Sequence, residues 1–162
     1  MKVTRMFCVV LFMLGMIQLS DAQTSNKDLV SKEEAIQLME KFRDGYIKRD
    51  STQLDSFVEM FTDDIVYIGV ASHEFFRGKK SVRKLTYWDW KRWFELRVPV
   101  DKVVIRTNRN TAWFAVVAAS GPWRNGNTYE IRIVGSMEKE EGKLKFKQIC
   151  FSYPAPLKII EK

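Results

Sequence analysis

The groups in this chain best suited to chemistry are one carboxylate on a helix and a row of polar side chains near the C-terminus. Asp89 falls at the centre of the helical side marked by Val82, Leu85 and Trp93, given the 100° turn per residue of an α-helix. A carboxyl held there loses hydration, which raises its proton affinity and makes it a candidate base or acid near neutral pH. A helix that ends early would instead leave Asp89 as a solvated or capping residue. The closing segment alternates, with Gln148, Cys150 and Ser152 on one side and Ile149, Phe151 and Tyr153 on the other. A polar row on an otherwise core-like strand predicts a cavity wall, because a buried amide, thiol and hydroxyl need partners that a ligand can supply.

Arg132 joins that row if the last hairpin turns through three residues, Glu140-Glu141-Gly142. Arg132 then lies opposite Cys150 and Glu130 opposite Ser152, and a two-residue turn would direct Arg132 away. The three-residue turn is expected, since the tight alternative forces Glu141 to positive φ. An ion pair with Glu130 is the competing role for Arg132. The same register leaves Tyr129, Ile131, Ile133, Ile149, Phe151 and Tyr153 on the opposite, convex face, an apolar patch that predicts a homodimer interface. Tyr67 and Trp93 complete the expected ligand-binding set. Cys150 is a weak nucleophile candidate because the only histidine, His73, lies in an early loop. With one histidine and one cysteine outside the leader, no metal site and no cofactor are expected.

Several elements must position these groups. Ser31-Lys32-Glu33-Glu34 is a capping box that opens a helix with Ala35, Leu38, Met39, Phe42 and Tyr46 on its inward stripe. A second helix is expected from Ser51 through Phe61, ending at Thr62-Asp63-Asp64. The period then becomes that of strands, with Ile65 to Val70 and Glu74 to Arg77, and returns to helical from Lys79 to Phe94. Strands are expected at Val98 to Thr107, Thr111 to Ser120, Thr128 to Met137 and Leu144 to Tyr153. Helices first and an antiparallel meander last make an α+β layout.

Residues 1–22 read as a secretory signal peptide: Lys2 and Arg5, an apolar run from Met6 to Leu19, then the small residues of Ser20-Asp21-Ala22. That run is shorter than the roughly 20 residues a bilayer span needs. A periplasmic or secreted protein is expected, without stable membrane insertion after cleavage. Residues 23–30 form a polar lead-in, 31–156 a single domain and 157–162 a short tail. The formal charge of +7 is concentrated between Arg77 and Arg106. No nucleic-acid module accompanies it, which leaves a solvated basic face or attraction to an acidic surface or anionic ligand.

The order of elements resembles the nuclear transport factor 2 superfamily and its SnoaL-like domains. The stretches that carry the likeness are Lys48 to Ser51 with Leu54 to Phe57, Phe61 to Asp64, Arg77-Gly78, Asp89-Trp90 with Trp93, Ala112 to Phe114 and Gln148 to Pro154. The resemblance implies a cone-shaped α+β barrel, with three helices packed on a curved, mostly antiparallel sheet around a conical pocket. It also implies isomerase, cyclase or dehydratase relatives, frequently homodimeric. The chain departs from that pattern at Cys150, where relatives have histidine before Phe-Ser. Gly69 stands about where ketosteroid isomerases place their aspartate, and Phe42 or Gly45 where they place a tyrosine. The expectation is therefore an exported small-molecule-binding domain, with a cofactor-free acid/base enzyme acting on a small, largely apolar substrate as the alternative.

Overall fold

A computed structural model describes residues 29–92, 95–121 and 126–154. The leader, the tail and Trp93 lie outside them. Helix α1 (Lys32–Lys48) starts at the capping box: Ser31 Oγ accepts the Glu34 amide at 3.0 Å and the Glu34 carboxylate accepts the Ser31 amide at 2.9 Å. Its buried stripe is Ala35, Leu38, Met39, Phe42 and Tyr46. A 3-10 turn at Ser51–Gln53 leads into the short helix α2 (Leu54–Val58), so the second helix is shorter than the spacing predicts. Phe61 and Thr62-Asp63-Asp64 belong instead to strand β1 (Phe61–Ile68), where Phe61 pairs with Phe146.

Strand β2 (Phe75–Arg77) and helix α3 (Lys79–Arg92) follow. The strand expected from Val98 to Thr107 is broken: β3 (Leu96–Arg97) precedes Pro99, a 3-10 turn spans Val100–Lys102, and β4 (Val104–Asn108) comes after. Pro99 has no amide hydrogen to offer a ladder, which accounts for the break. Three long strands finish the sheet, β5 (Thr111–Ser120), β6 (Tyr129–Glu140) and β7 (Lys143–Ser152). The order is β2-β1-β7-β6-β5-β3, with β4 on β5; β1 runs parallel to β7 and the other pairs are antiparallel. Three helices pack on this mixed sheet, which does not close into a barrel.

The last hairpin differs from expectation in its turn. Glu140 pairs with Lys143, so the turn has two residues, and Glu141 takes the left-handed φ of 52°. A bulge then intervenes: Met137 faces Phe146 but Ser136 faces Gln148, leaving Lys147 unpaired in that ladder. The extra residue restores the parity that the shorter turn changes. Arg132 therefore shares a face with Cys150 and Ser152 after all, but opposite Ser152.

That face is the outer one, which reverses the sequence expectation. Gln148 and Ser152 are exposed, Cys150 is half-buried, and Arg132 and Glu130 are exposed. Ile131, Ile133, Ile149 and Phe151 point inward and are buried. The physical reason is area. Burying a large aliphatic or aromatic side chain is worth about 1.5–3 kcal/mol, so the four apolar groups outweigh an amide, a thiol and a hydroxyl in choosing the face.

Candidate functional site

Most of the space between helices and sheet is filled. Phe146 packs on Phe42, Phe61 and Phe114 at 5.4, 5.7 and 5.6 Å between ring centroids, and Phe57 meets Trp90 at 5.0 Å. Gly45 allows this closeness, because a Cβ there would come within 2.2 Å of the Phe57 ring. What is left of a conical pocket is a hollow of about 10 Å³, lined by Tyr46, Tyr67, Glu74 and Asp89 among its polar groups. That is room for about one water. Leu85, Leu96 and Phe151 form its apolar wall. Two larger surface depressions, of about 650 and 490 Å³, include none of these four residues.

Each polar group arrives by a different route. Tyr46 ends the inward stripe of α1, one turn after Phe42. Tyr67 lies on the inner face of β1, beside Ile149 in β7 and 5.1 Å from the Phe151 ring. Asp89 projects from the buried side of α3 with 7% of its surface exposed. Glu74 comes from the loop before β2 and folds back over Gly69. Its carboxylate accepts the Ala71 amide at 3.0 Å, and a Cβ at Gly69 would fall 2.1 Å from Glu74 Oε2. The carboxylate thus occupies the space a side chain on residue 69 would need.

The two hydroxyls meet beside the carboxyl. Tyr46 and Tyr67 oxygens share a hydrogen bond of 3.2 Å that either can donate, and Tyr46 and Asp89 line the same hollow. The Tyr46 hydroxyl lowers the pKa of Asp89 and the Asp89 charge raises that of Tyr46, as expected of a phenol beside a carboxyl. Burial, then repulsion from Glu74, pushes the Asp89 carboxyl up to about 7, against the smaller opposing effect of the Tyr46 hydroxyl. Burial likewise pushes both phenols up.

Of the residues expected at a ligand site, the hollow gathers Asp89 and Tyr67. Arg132, Gln148, Cys150 and Ser152 stand on the other face of the sheet, and Trp93 lies outside the described residues. Two residues escaped the sequence reading. Tyr46 was legible only as part of a packing stripe, and Glu74 only as the start of a strand. Gly69, a lone glycine in a strand pattern, was the one hint of a close approach.

The SnoaL-like domain family matches residues 36–156. The chain belongs to this family. Among solved structures, a nuclear transport factor 2-like protein of unknown function from Pseudomonas putida KT2440 superposes with a TM-score of 0.65 at 16% identity, over 75% of this chain and 85% of that one. A putative scytalone dehydratase from Novosphingobium aromaticivorans gives 0.62 at 12% identity, over 76% and 83%. A cystatin-like-fold protein from Caulobacter vibrioides gives 0.63 at 16% identity, over 76% and 89%. At these identities the likeness is one of fold. No curated protein matches the sequence significantly. SnoaL-like membership is compatible with ligand binding and with isomerase-type chemistry alike. Among the described residues, no cluster of His, Cys, Asp and Glu could hold a metal ion.

Proposed function

We propose that this SnoaL-like domain is a cofactor-free acid/base site for a small, largely apolar organic molecule bearing a carbonyl or hydroxyl group. One observation supports it above the others: Asp89 is buried, shares a hollow with Tyr46, Tyr67 and Glu74, and is balanced near neutral pH by its surroundings. A buried carboxyl without a cationic partner costs stability, and such groups concentrate where proton transfer is the task. In this reading Asp89 takes a proton from carbon next to the carbonyl, and one hydroxyl of the Tyr46 and Tyr67 pair donates to the oxygen on which charge develops while the other donates to that hydroxyl in turn. Burial, with repulsion from Glu74, keeps Asp89 half-protonated near neutrality.

The test is solvent deuterium exchange at the α-carbon of small cyclic ketones, followed by NMR. Exchange catalysed by the intact protein should fall by about 10²–10⁴-fold in Asp89→Asn, the range usual for a general base. The hollow as it stands holds about one water, so any organic molecule must spread its walls, and this holds equally for a second reading, a ligand-binding module without catalysis. A molecule found by native mass spectrometry on protein purified from its source, together with no exchange on any carbonyl probe, would select it.

The proposal extends to two further features. The leader, with its basic start and apolar run, supports export to the periplasm or beyond. The outer sheet face supports a homodimer, through residues other than those the alternation suggested. Val104, Trp113, Val117 and Val134 are each about half exposed there, and Val104, Ala115, Val134, Cys150 and Ile68 form one cross-strand row. Val134→Lys should convert a dimer to a monomer in analytical ultracentrifugation; an unchanged sedimentation coefficient would remove this face from consideration.

A further inference from the structure

The solvent side of α3 breaks the usual rules of helix electrostatics. Among the helix residues whose exposure is described, the exposed ones are Lys80, Arg83, Lys84, Trp88 and Lys91, and the only acid in the helix, Asp89, is buried. Solvated helix faces ordinarily mix signs, because opposite charges four residues apart stabilise and like charges repel. Lys80 and Lys84 are such a like pair. The first turn holds Lys79 and Lys80 and no acid, although the helix dipole favours negative charge there.

Part of the excess is neutralised internally. Lys79 bridges Glu59 and Asp63 at 3.3 and 3.0 Å, and Arg83 bridges Asp55 at 2.6 Å. Lys80, Lys84 and Lys91 have no carboxylate partner among the described residues. At 100° per residue these three fall within about 40° of one another, along a crest about 16 Å long. Aromatic rings accompany them: Trp88 is 42% exposed beside the crest, and Lys91 Nζ lies 4.2 Å above the Tyr87 ring.

We propose that this crest is a docking surface for an anionic lipid bilayer, engaged from outside rather than spanned. Charge complementarity selects a polyanion. A convex crest selects a surface over a small ligand, since Lys80, Lys84, Trp88 and Lys91 line none of the three depressions described above. The exposed Trp88 ring selects lipid, because Trp settles at the headgroup level while lysine stems extend toward phosphates. The unfavourable lysine pair and the misplaced first-turn charge are relieved when anionic headgroups supply the missing counter-charge. No described helix is long and apolar enough to cross a membrane, so contact would be peripheral.

The test is co-sedimentation of the full chain with vesicles of phosphatidylcholine alone or mixed equally with phosphatidylglycerol. The intact protein should prefer the anionic vesicles and lose that preference as salt rises. Each lysine near such a surface contributes roughly 5-fold, so Lys80→Gln/Lys84→Gln/Lys91→Gln should weaken partitioning by about 100-fold. Lys41→Gln/Lys102→Gln/Lys143→Gln removes the same charge elsewhere and should change it far less. All variants share the N-terminal segment, so its contribution cancels, and circular dichroism checks their folding. Equal losses in both triple variants, no preference for anionic vesicles, or retention by single-stranded RNA without vesicle binding would each overturn the proposal.

Discussion

The two ends of the core obey opposite rules. Around Phe146, phenylalanine rings from α1, α2, β1 and β5 pack against one another. Around Asp89, a few side chains away, two carboxyls and two phenols share a hollow the size of a water. The first end gains stability from area and close packing. The second accepts a desolvated carboxyl beside another carboxyl, which no packing argument favours. Local rules are kept where the fold is held and broken where a site is expected.

That contrast can be broken most readily from the aromatic side. Phe146→Ala should cost about 3–5 kcal/mol in urea unfolding, since its cavity has rings on three sides that cannot collapse into it. A loss under 1 kcal/mol would mean that this end is not the anchor. Asp89→Asn should act in the opposite direction. The folded protein holds the Asp89 proton up to about 7, whereas the unfolded chain releases it near 3.8. Stability should therefore fall as pH rises from about 4 to about 7 and level off above. Asp89→Asn should flatten that slope and raise stability at pH 8 by roughly 2–4 kcal/mol; a wild-type-like slope in the variant would assign the dependence elsewhere. The smallest effect sharpens the comparison within the site. Glu74→Gln removes the repulsion on Asp89, so the Asp89 midpoint followed by carboxyl NMR should move down from about 7, with global stability nearly unchanged.

Much of this architecture was legible in the sequence. The capping box at Ser31 and Glu34, the order of helices and strands, and the inward placement of Asp89 all follow from local spacing. The face of β7 did not. Alternation divides a strand into two sets without saying which set is inside, and the polar set of Gln148, Cys150 and Ser152 was given the wrong side. Counting apolar area across both strands of the hairpin, with Ile131 and Ile133 added to Ile149 and Phe151, gives the observed answer. Glu74 was hidden for a different reason. A loop carboxylate that reaches back over a glycine is a tertiary event, and neither residue's own spacing records it.

The bulge at Lys147 has a consequence for how this hairpin tolerates change. Deleting Lys147 would leave Phe146 facing Met137 and Ser136 facing Gln148 in an unbroken ladder with β6. On the other edge it would widen a mismatch, because β1 already runs a longer path from Phe61 to Val66 than β7 does from Phe146 to Gln148. The lysine's grip on Asp64 and Glu138 at the rim would go as well, so the residue that one neighbour treats as surplus is one the other cannot spare.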